Sequence, residues 1–228
     1  MSKLCFPAPL PVLLPVAGQD ALFPVRRVYC VGRNYAEHAR EMGHDPDAAP
    51  PFYFQKNPDN LNLTGKFPYP SLTNDLHYEV ELAVFLQEGG ENIAAEEALS
   101  KVFGYAVALD MTRRDLQAEA KKQGRPWEAA KAVDHSAPVG PVTPVAVWSD
   151  LDGAGIRLRV NGAIRQEARL ADMIWAVPGI IATLSQAFRL APGDVILTGT
   201  PAGVGPVLRG DVMEAEVDGL PPIRVEVV

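Results

Sequence analysis

The sequence predicts an α+β fold that is mainly β, in which mixed sheets roll on themselves and short helices lie at the periphery. Strand patterns outnumber helical patterns, and most consecutive strands are joined by hairpin or short-turn signals. The 21 prolines and 19 glycines are spread along the chain, which favours short strands and turns over a helix bundle. With 228 residues, we expect a proline-rich peripheral segment over 1–24 and a single domain over 25–228.

Composition narrows the functional class. The net charge is −7 and no Lys/Arg-rich run is present, so we expect no nucleic-acid partner and no binding to anionic membranes. The two cysteines, Cys5 and Cys30, form no C-x-x-C pair, which argues against a structural zinc site and a disulfide framework. No apolar run approaches the roughly eighteen residues of a spanning helix, and no signal-peptide pattern is visible. We therefore expect a cytoplasmic protein.

The first elements carry a candidate base. A strand is predicted over 25–31, ending at Gly32, and a short helix follows with Asn34 as its N-cap. On that helix His38 and Glu41 are neighbours, an arrangement suited to a general base with an orienting carboxylate. The alternative is an exposed helix pair without function. Residues 44–51 are predicted to form a polar loop, and 52–56 an aromatic strand.

The stretch 77–86 reads as a strand with a pair of carboxylates on one face. Side chains alternate across a strand, so Glu79 and Glu81 share a face with Ala83 and Phe85. Two nearby carboxylates repel one another and are costly to bury, and a hard cation offsets that cost. The alternative is a half-exposed strand with a solvated acidic face.

A third carboxylate ends a second strand, predicted over 104–110. Asp110 shares one face of that strand with Ala106 and Ala108, so only small side chains precede it on that face and there is room beside the carboxylate. A ligand set of Glu79, Glu81 and Asp110 favours Mg²⁺ or Mn²⁺, with Ca²⁺ possible, over zinc or copper. The alternative is three unrelated acidic groups at the surface.

The next helix is predicted to begin at Thr112 as the cap, with Asp115 at its third position. On it Arg114, Gln117 and Lys121 follow a spacing of three and four residues and therefore share one face.

The remaining chain is predicted as two hairpins, one helix and one strand. The hairpins turn at Asn161-Gly162 and Asp218-Gly219, and the helix begins at Pro178 with an apolar stripe. A strand over 195–198 leads into a loop from Gly199 to Gly205, whose glycines do not match the phosphate-binding spacing.

Several blocks, in this order and spacing, resemble the fumarylacetoacetate hydrolase family from about Arg27 to the C-terminus. They are 29–35 (YCVGRNY), 77–82 (HYEVEL), 104–115, 124–127 (GRPW), Lys131 and 197–205 (LTGTPAGVG). Within that family the chain looks closest to fumarylpyruvate hydrolases and acylpyruvases. It departs from the usual Phe-x-Lys-Pro at Phe54-Gln55-Lys56-Asn57-Pro58.

The resemblance implies a mixed β-sandwich roll of the fumarylacetoacetase C-terminal type, usually a homodimer, and a small keto-acid substrate. It implies a divalent metal on Glu79, Glu81 and Asp110, and hydrolysis of an acylpyruvate, 3-fumarylpyruvate above all. It also implies that His38 is the general base, oriented by Glu41, and that Lys131 stabilises the enolate. The residues implied to bind the substrate are Arg33, Arg114, Gln117 and Thr200. The short helix carrying His38 would act as a lid. The alternatives are a general acylpyruvase, an oxaloacetate decarboxylase and a non-catalytic keto-acid-binding relative.

Overall fold

The protein was analysed as a computed structural model that describes residues 4–41, 43 and 51–228, so the loop predicted over 44–51 lies almost wholly outside the described residues. The strands are β1 (Leu13–Pro15), β2 (Leu22–Pro24), β3 (Arg27–Gly32), β4 (Phe52–Lys56), β5 (Leu61–Asn62), β6 (Lys66–Phe67), β7 (Leu76–Tyr78), β8 (Val80–Leu86), β9 (Val102–Leu109), β10 (Thr112–Arg113), β11 (Ala137–Pro138), β12 (Thr143–Pro144), β13 (Gly155–Val160), β14 (Ala163–Arg169), β15 (Asp194–Leu197), β16 (Gly205–Pro206), β17 (Val212–Val217) and β18 (Ile223–Val227).

The helices are short. They are α1 (Ala36–Glu41), α2 (Ala95–Ala98), α3 (Arg114–Gln123), α4 (Glu128–Lys131) and α5 (Val177–Ala187), with 3-10 turns at Pro58–Asn60, Leu99–Lys101 and Leu170–Asp172. None of the helices in the described part of the chain combines the length and apolar character that a membrane crossing requires. The mainly β fold with short helices is confirmed.

Two large sheets form the body of the molecule, and both are mixed as predicted. The six-stranded sheet has the order β12-β9-β8-β15-β3-β4, in which only β15 and β3 are parallel. The five-stranded sheet has the order β14-β13-β17-β18-β6, in which β18 and β6 are parallel.

The main hydrophobic core is shared by the two sheets. From the six-stranded sheet, Leu82 and Val107 enter this core, and from the five-stranded sheet Leu158 and Ala215 do so. Helix α5 adds its apolar stripe, which includes Leu184. The alternation read from the sequence therefore separates a core face from an opposite face on β8 and β9.

The opposite face of the six-stranded sheet is covered by the hairpin of β1 and β2. Leu14 and Phe23 pack with Ala83, Phe85 and their neighbours in a second buried cluster. Because Glu81 precedes Ala83 by two residues, it emerges on this same face beyond the cluster. The carboxylates thus stand at one end of a face whose other end is sealed by the N-terminal hairpin.

The predicted N-cap of the first helix is wrong. Helix α1 begins at Ala36, and the preceding Tyr35 pairs with Met173 as an isolated bridge. The Asn34 side chain donates instead to the carbonyls of Trp175 and Thr198, at 2.9 and 2.8 Å. Tertiary hydrogen bonds therefore replace the local cap and tie the start of α1 to the loop after β15.

The predicted cap of the next helix is also wrong. Thr112 lies in β10, which pairs with β7, and its hydroxyl donates to the carbonyl of Asp110. Helix α3 begins at Arg114, and the Asp115 carboxylate accepts from the Thr73 hydroxyl and the Asn74 amide. Pairing with β7 extends the chain through the position where a cap was expected.

Candidate active site

Three buried carboxylates converge at the end of the six-stranded sheet. Glu79 lies in the break between β7 and β8, and Asp110 follows β9. The pairing of Val80 with Leu109 continues into a bond from the Asp110 amide to the Glu79 carbonyl, at 2.8 Å. Glu79, Glu81 and Asp110 are 5%, 2% and 0% exposed, and each offers an oxygen within 4.8 Å of the others. Burial excludes the alternative of a solvated acidic face.

Cations neutralise two of the three carboxylates directly. Lys131 Nζ lies 2.7 Å from Glu79 Oε2 and 2.7 Å from Asp110 Oδ2. Lys56 Nζ lies 2.8 Å from Asp110 Oδ1, and Arg114 Nη2 lies 2.5 Å from Glu79 Oε1. Glu81 makes no ion pair with the described lysines and arginines, and its Oε2 accepts the Gly199 amide at 2.7 Å.

The pKa values follow this unequal pairing. Burial alone would raise the pKa of Glu79, but Lys131, Arg114 and His38 outweigh it and hold that pKa below its ordinary value. The pKa of Glu81 lies well above its ordinary value, because burial and then the charges of Asp110 and Glu79 oppose its ionisation. The site therefore lacks positive charge at Glu81.

A divalent cation fits that deficit. The converging donors are all carboxylate oxygens, which hard cations prefer, and a dication beside Glu81 would offset its repulsion by Asp110 and Glu79. Three protein ligands would also leave coordination positions for substrate oxygens.

His38 stands over the same pocket on α1. Its Nδ1 lies 3.1 Å from Glu41 Oε2, and the Glu41 carboxylate accepts the Gly203 amide at 3.2 Å. His38 is 6% exposed, and burial is the main reason that its pKa lies below its ordinary value. The imidazole is therefore neutral at pH 7, as a general base must be, and it is not an exposed helix residue.

The structure brings all ten predicted site residues together. Eight of them line one pocket: Arg33, His38, Glu79, Glu81, Arg114, Gln117, Lys131 and Thr200. Asp110 lies against Lys131 and Lys56, and Glu41 holds His38.

The family follows from a direct match. Residues 27–228 match the model described as fumarylacetoacetate (FAA) hydrolase C-terminal. The chain belongs to the fumarylacetoacetate hydrolase family. The fold predicted from the resemblance is confirmed.

The chain is similar to relatives whose names describe different reactions. A crystal structure of fumarylpyruvate hydrolase from Pseudomonas aeruginosa, in complex with Mn²⁺ and pyruvate, is 48% identical, with a TM-score of 0.96 and 99% of each chain covered. An oxaloacetate tautomerase of Arabidopsis thaliana mitochondria is 41% identical over 88% of this chain and 90% of its own length. An oxaloacetate tautomerase of Escherichia coli K12 is 41% identical over 86% of this chain and 90% of its own length.

Gln166 is a buried residue that links the loop at Thr200 to the start of β8, and the sequence analysis did not identify it. Gln166, on β14, donates its Nε2 to Thr200 Oγ1 and to the Pro201 carbonyl, each at 2.8 Å. Its Oε1 accepts the Val80 amide at 3.0 Å. Because Thr200 Oγ1 accepts from Gln166, the hydroxyl hydrogen is available to the pocket. No local pattern signals this contact, since it depends on packing between the two sheets.

Other pocket residues were visible in the sequence but were not assigned to the site. The strand at 52–56 supplies Phe52 and Phe54 to the pocket and Lys56 to Asp110. The helix face that carries Arg114 and Gln117 also presents Lys121, as its spacing predicted, and Trp127 lies beyond the end of α3. The aromatic run and the shared helix face were the available signals.

Proposed function

We propose that this protein hydrolyses the carbon–carbon bond of an acylpyruvate, with 3-fumarylpyruvate giving fumarate and pyruvate in gentisate-type aromatic catabolism. The observation that carries the proposal is the convergence in one pocket of a buried carboxylate triad and His38, whose imidazole is held by Glu41. The 48% identical fumarylpyruvate hydrolase with Mn²⁺ and pyruvate supports the same reaction.

Glu79, Glu81 and Asp110 would hold one divalent metal, Mg²⁺ or Mn²⁺. When bound, it would polarise the pyruvoyl oxygens and offset the negative charge that develops on them.

His38 supplies the base in this proposal. Its imidazole takes a proton from water as the water oxygen attacks the distal carbonyl, and Glu41 stabilises the resulting imidazolium. The bond from that carbonyl carbon to the methylene then breaks, and its electron pair forms the enolate of pyruvate. The products are a carboxylic acid and, after protonation of the methylene, pyruvate.

Five cationic or polar groups position the substrate and its developing charge. The Lys131 ammonium, which lines the pocket, donates to the enolate oxygen. Arg114 Nη1 donates to Gln117 Oε1 at 2.7 Å, which leaves the Gln117 amide hydrogens for a substrate oxygen. Arg33 and the Thr200 hydroxyl bind carboxylate and oxyanion oxygens.

The deciding experiment measures pyruvate release from fumarylpyruvate, acetylpyruvate and longer acylpyruvates, with Mg²⁺, Mn²⁺ or a chelator. We expect metal-dependent release of equal amounts of pyruvate and a second carboxylic acid. Binding of keto acids without any turnover would identify a non-catalytic relative instead. Sedimentation of the same preparation tests the homodimer that we expect.

A second candidate is tautomerisation of oxaloacetate, which the two 41% identical relatives named oxaloacetate tautomerase favour. That reaction moves a proton between carbon and oxygen and needs a base but no attacking water. Decarboxylation of oxaloacetate is a third outcome from the same site. Product analysis separates the three reactions. Tautomerisation removes the enol without new products, decarboxylation releases CO₂, and hydrolysis releases a second carboxylic acid.

A further inference from the structure

Two cationic side chains of the pocket make cation–π contacts with a pair of aromatic rings. Arg33 Cζ lies 5.2 Å from the centroid of the Phe52 ring, and Lys121 Nζ lies 5.1 Å from that of Trp127. The two rings meet edge to face, with centroids 5.2 Å apart and planes at 86°. The four residues thus form one unit, here called the aromatic–cation cluster, and all four line the pocket.

The cluster is assembled from separate parts of the fold. Phe52 lies on β4 and Lys121 on α3, while Trp127 precedes α4. Arg33 follows β3 and has φ of 61°, in the left-handed region that residues with a side chain rarely adopt. Such a backbone conformation persists where the surrounding structure imposes it, and it is common at binding sites.

The cations of the cluster differ from the other cations of the pocket. Arg114, Lys131 and the buried Lys56 each contact a carboxylate, whereas Arg33 and Lys121 form no ion pair with any acidic residue that the structure describes. Burial, then Arg114 and Arg33, lower the pKa of Lys121 to about 8, so positive charge is in excess on this side of the pocket.

We propose that Arg33 and Lys121 bind the far carboxylate of a dicarboxylic substrate, while Phe52 and Trp127 flank its acyl chain. The inference rests on the proposed function, since it assumes that the pyruvoyl end of the substrate lies at Glu79, Glu81 and Asp110. A carboxylate would neutralise the two unpaired cations, and a flat unsaturated chain suits contact with aromatic rings. The site would therefore prefer acyl groups that end in a carboxylate.

Binding of two matched keto acids tests this subsite without requiring turnover. 2-Oxoheptanedioate and 2-oxoheptanoate have the same chain length as fumarylpyruvate and differ only in the far carboxylate. With Mn²⁺ present, calorimetry on the wild-type protein should show the diacid binding about tenfold or more tightly, as expected for charge-assisted hydrogen bonds.

The variants isolate Lys121. Lys121→Met keeps an unbranched side chain of similar length beside Trp127 but removes the charge, and it should abolish most of that preference. Lys121→Arg should retain it, and the exposed neighbour Lys122 gives the control Lys122→Met, which should match wild type. In kinetics, Lys121→Met should raise the KM for fumarylpyruvate about tenfold with kcat little changed, and should raise the KM for acetylpyruvate much less.

Two results would overturn the subsite: equal binding of the two acids by the wild type, or an undiminished preference for the diacid in Lys121→Met. Absence of pyruvate release from every acylpyruvate, with the binding preference intact, would reject the proposed hydrolysis and leave the carboxylate subsite standing.

Discussion

At the scale of single residues, Glu81 is the carboxylate that the described cations leave unneutralised. Glu81→Gln retains an oxygen for the Gly199 amide but removes the charge that a metal would need. We expect Mn²⁺ affinity to fall by at least about tenfold. Mutation of residues that only hold a metal ligand in place already lowers metal affinity by about 10–100-fold, and Glu81 is a proposed ligand itself. Calorimetric titration with Mn²⁺ measures the change, and the exposed Glu96→Gln serves as the control.

The stability of the same variant shows whether the loss is local. In the metal-free protein, burial and then the charges of Asp110 and Glu79 oppose the ionisation of Glu81, so Glu81→Gln should unfold at or above the wild-type temperature in the presence of a chelator. Unchanged Mn²⁺ affinity with normal folding would remove Glu81 from the metal centre.

The lowered pKa of Lys121 predicts that kcat/KM for a dicarboxylic substrate depends on pH. Burial, then Arg114 and Arg33, lower its pKa to about 8, while Glu79 acts in the opposite direction and Lys131 again lowers it. A lysine is charged below its pKa, so kcat/KM for fumarylpyruvate should fall as pH rises through about 8. Kinetics between neutral and alkaline pH test this.

Two comparisons control the pH profile. Lys121→Arg keeps its charge across the range and should lose the alkaline fall. Acetylpyruvate, which has no far carboxylate, should lack this fall with the wild-type protein. The same fall in both would assign it to another group.

At the scale of elements, α1 carries His38, the proposed base, on a helix of six residues, held by Asn34 at its start and Glu41 at its end. His38→Asn removes the base while keeping a polar side chain of similar size. We expect kcat for fumarylpyruvate to fall by about 10²–10⁴-fold, with Mn²⁺ affinity within about twofold of wild type. Steady-state kinetics and metal titration measure the two effects.

The control for this helix is His135→Asn. His135 is exposed and has φ of 64°, a conformation that asparagine tolerates, so its variant should keep full activity. A wild-type rate for His38→Asn would assign the role of the base to another group.

Elements whose role depends on alternation were predictable, and elements whose ends depend on tertiary contacts were not. Leu82 and Val107 face the core while Glu81 and Asp110 face the site, as the period of a strand requires. By contrast, Asn34 binds carbonyls distant in sequence, and Thr112 joins a strand. In both cases hydrogen bonds that form only in the assembled fold replace the local cap that the sequence predicts.

At the scale of the whole molecule, the pocket is a product of strand register. Antiparallel pairing of β3 with β4 sets Gly32 opposite Phe52, and a side chain on Gly32 would collide with that ring. The same sheet brings Lys56 beneath Asp110. These neighbours could not be predicted from spacing, because sequence patterns reveal which face a residue takes but not which strand lies beside it.

The N-terminal hairpin gives a test of how the site face is supported. Phe23, 6% exposed, lies 5.2 Å from the ring of Phe85, whereas Leu22 beside it is 58% exposed. Phe23→Ala should lower the free energy of unfolding by about 3–5 kcal/mol, because it leaves a cavity in the cluster beneath the six-stranded sheet. Leu22→Ala is the matched control and should change it by less than about 0.5 kcal/mol.

Urea unfolding measures the stability of both variants, and kinetics under folding conditions measures their function. Since Phe23 seals the end of the face that lies away from the carboxylates, Phe23→Ala should keep the wild-type KM and kcat at temperatures where it remains folded. Equal stability of the two variants would mean that the hairpin of β1 and β2 adds little to the stability of the six-stranded sheet. A large decrease in the free energy of unfolding that is confined to Phe23→Ala would show that the hairpin belongs to the core that holds Glu81 and Asp110 in register.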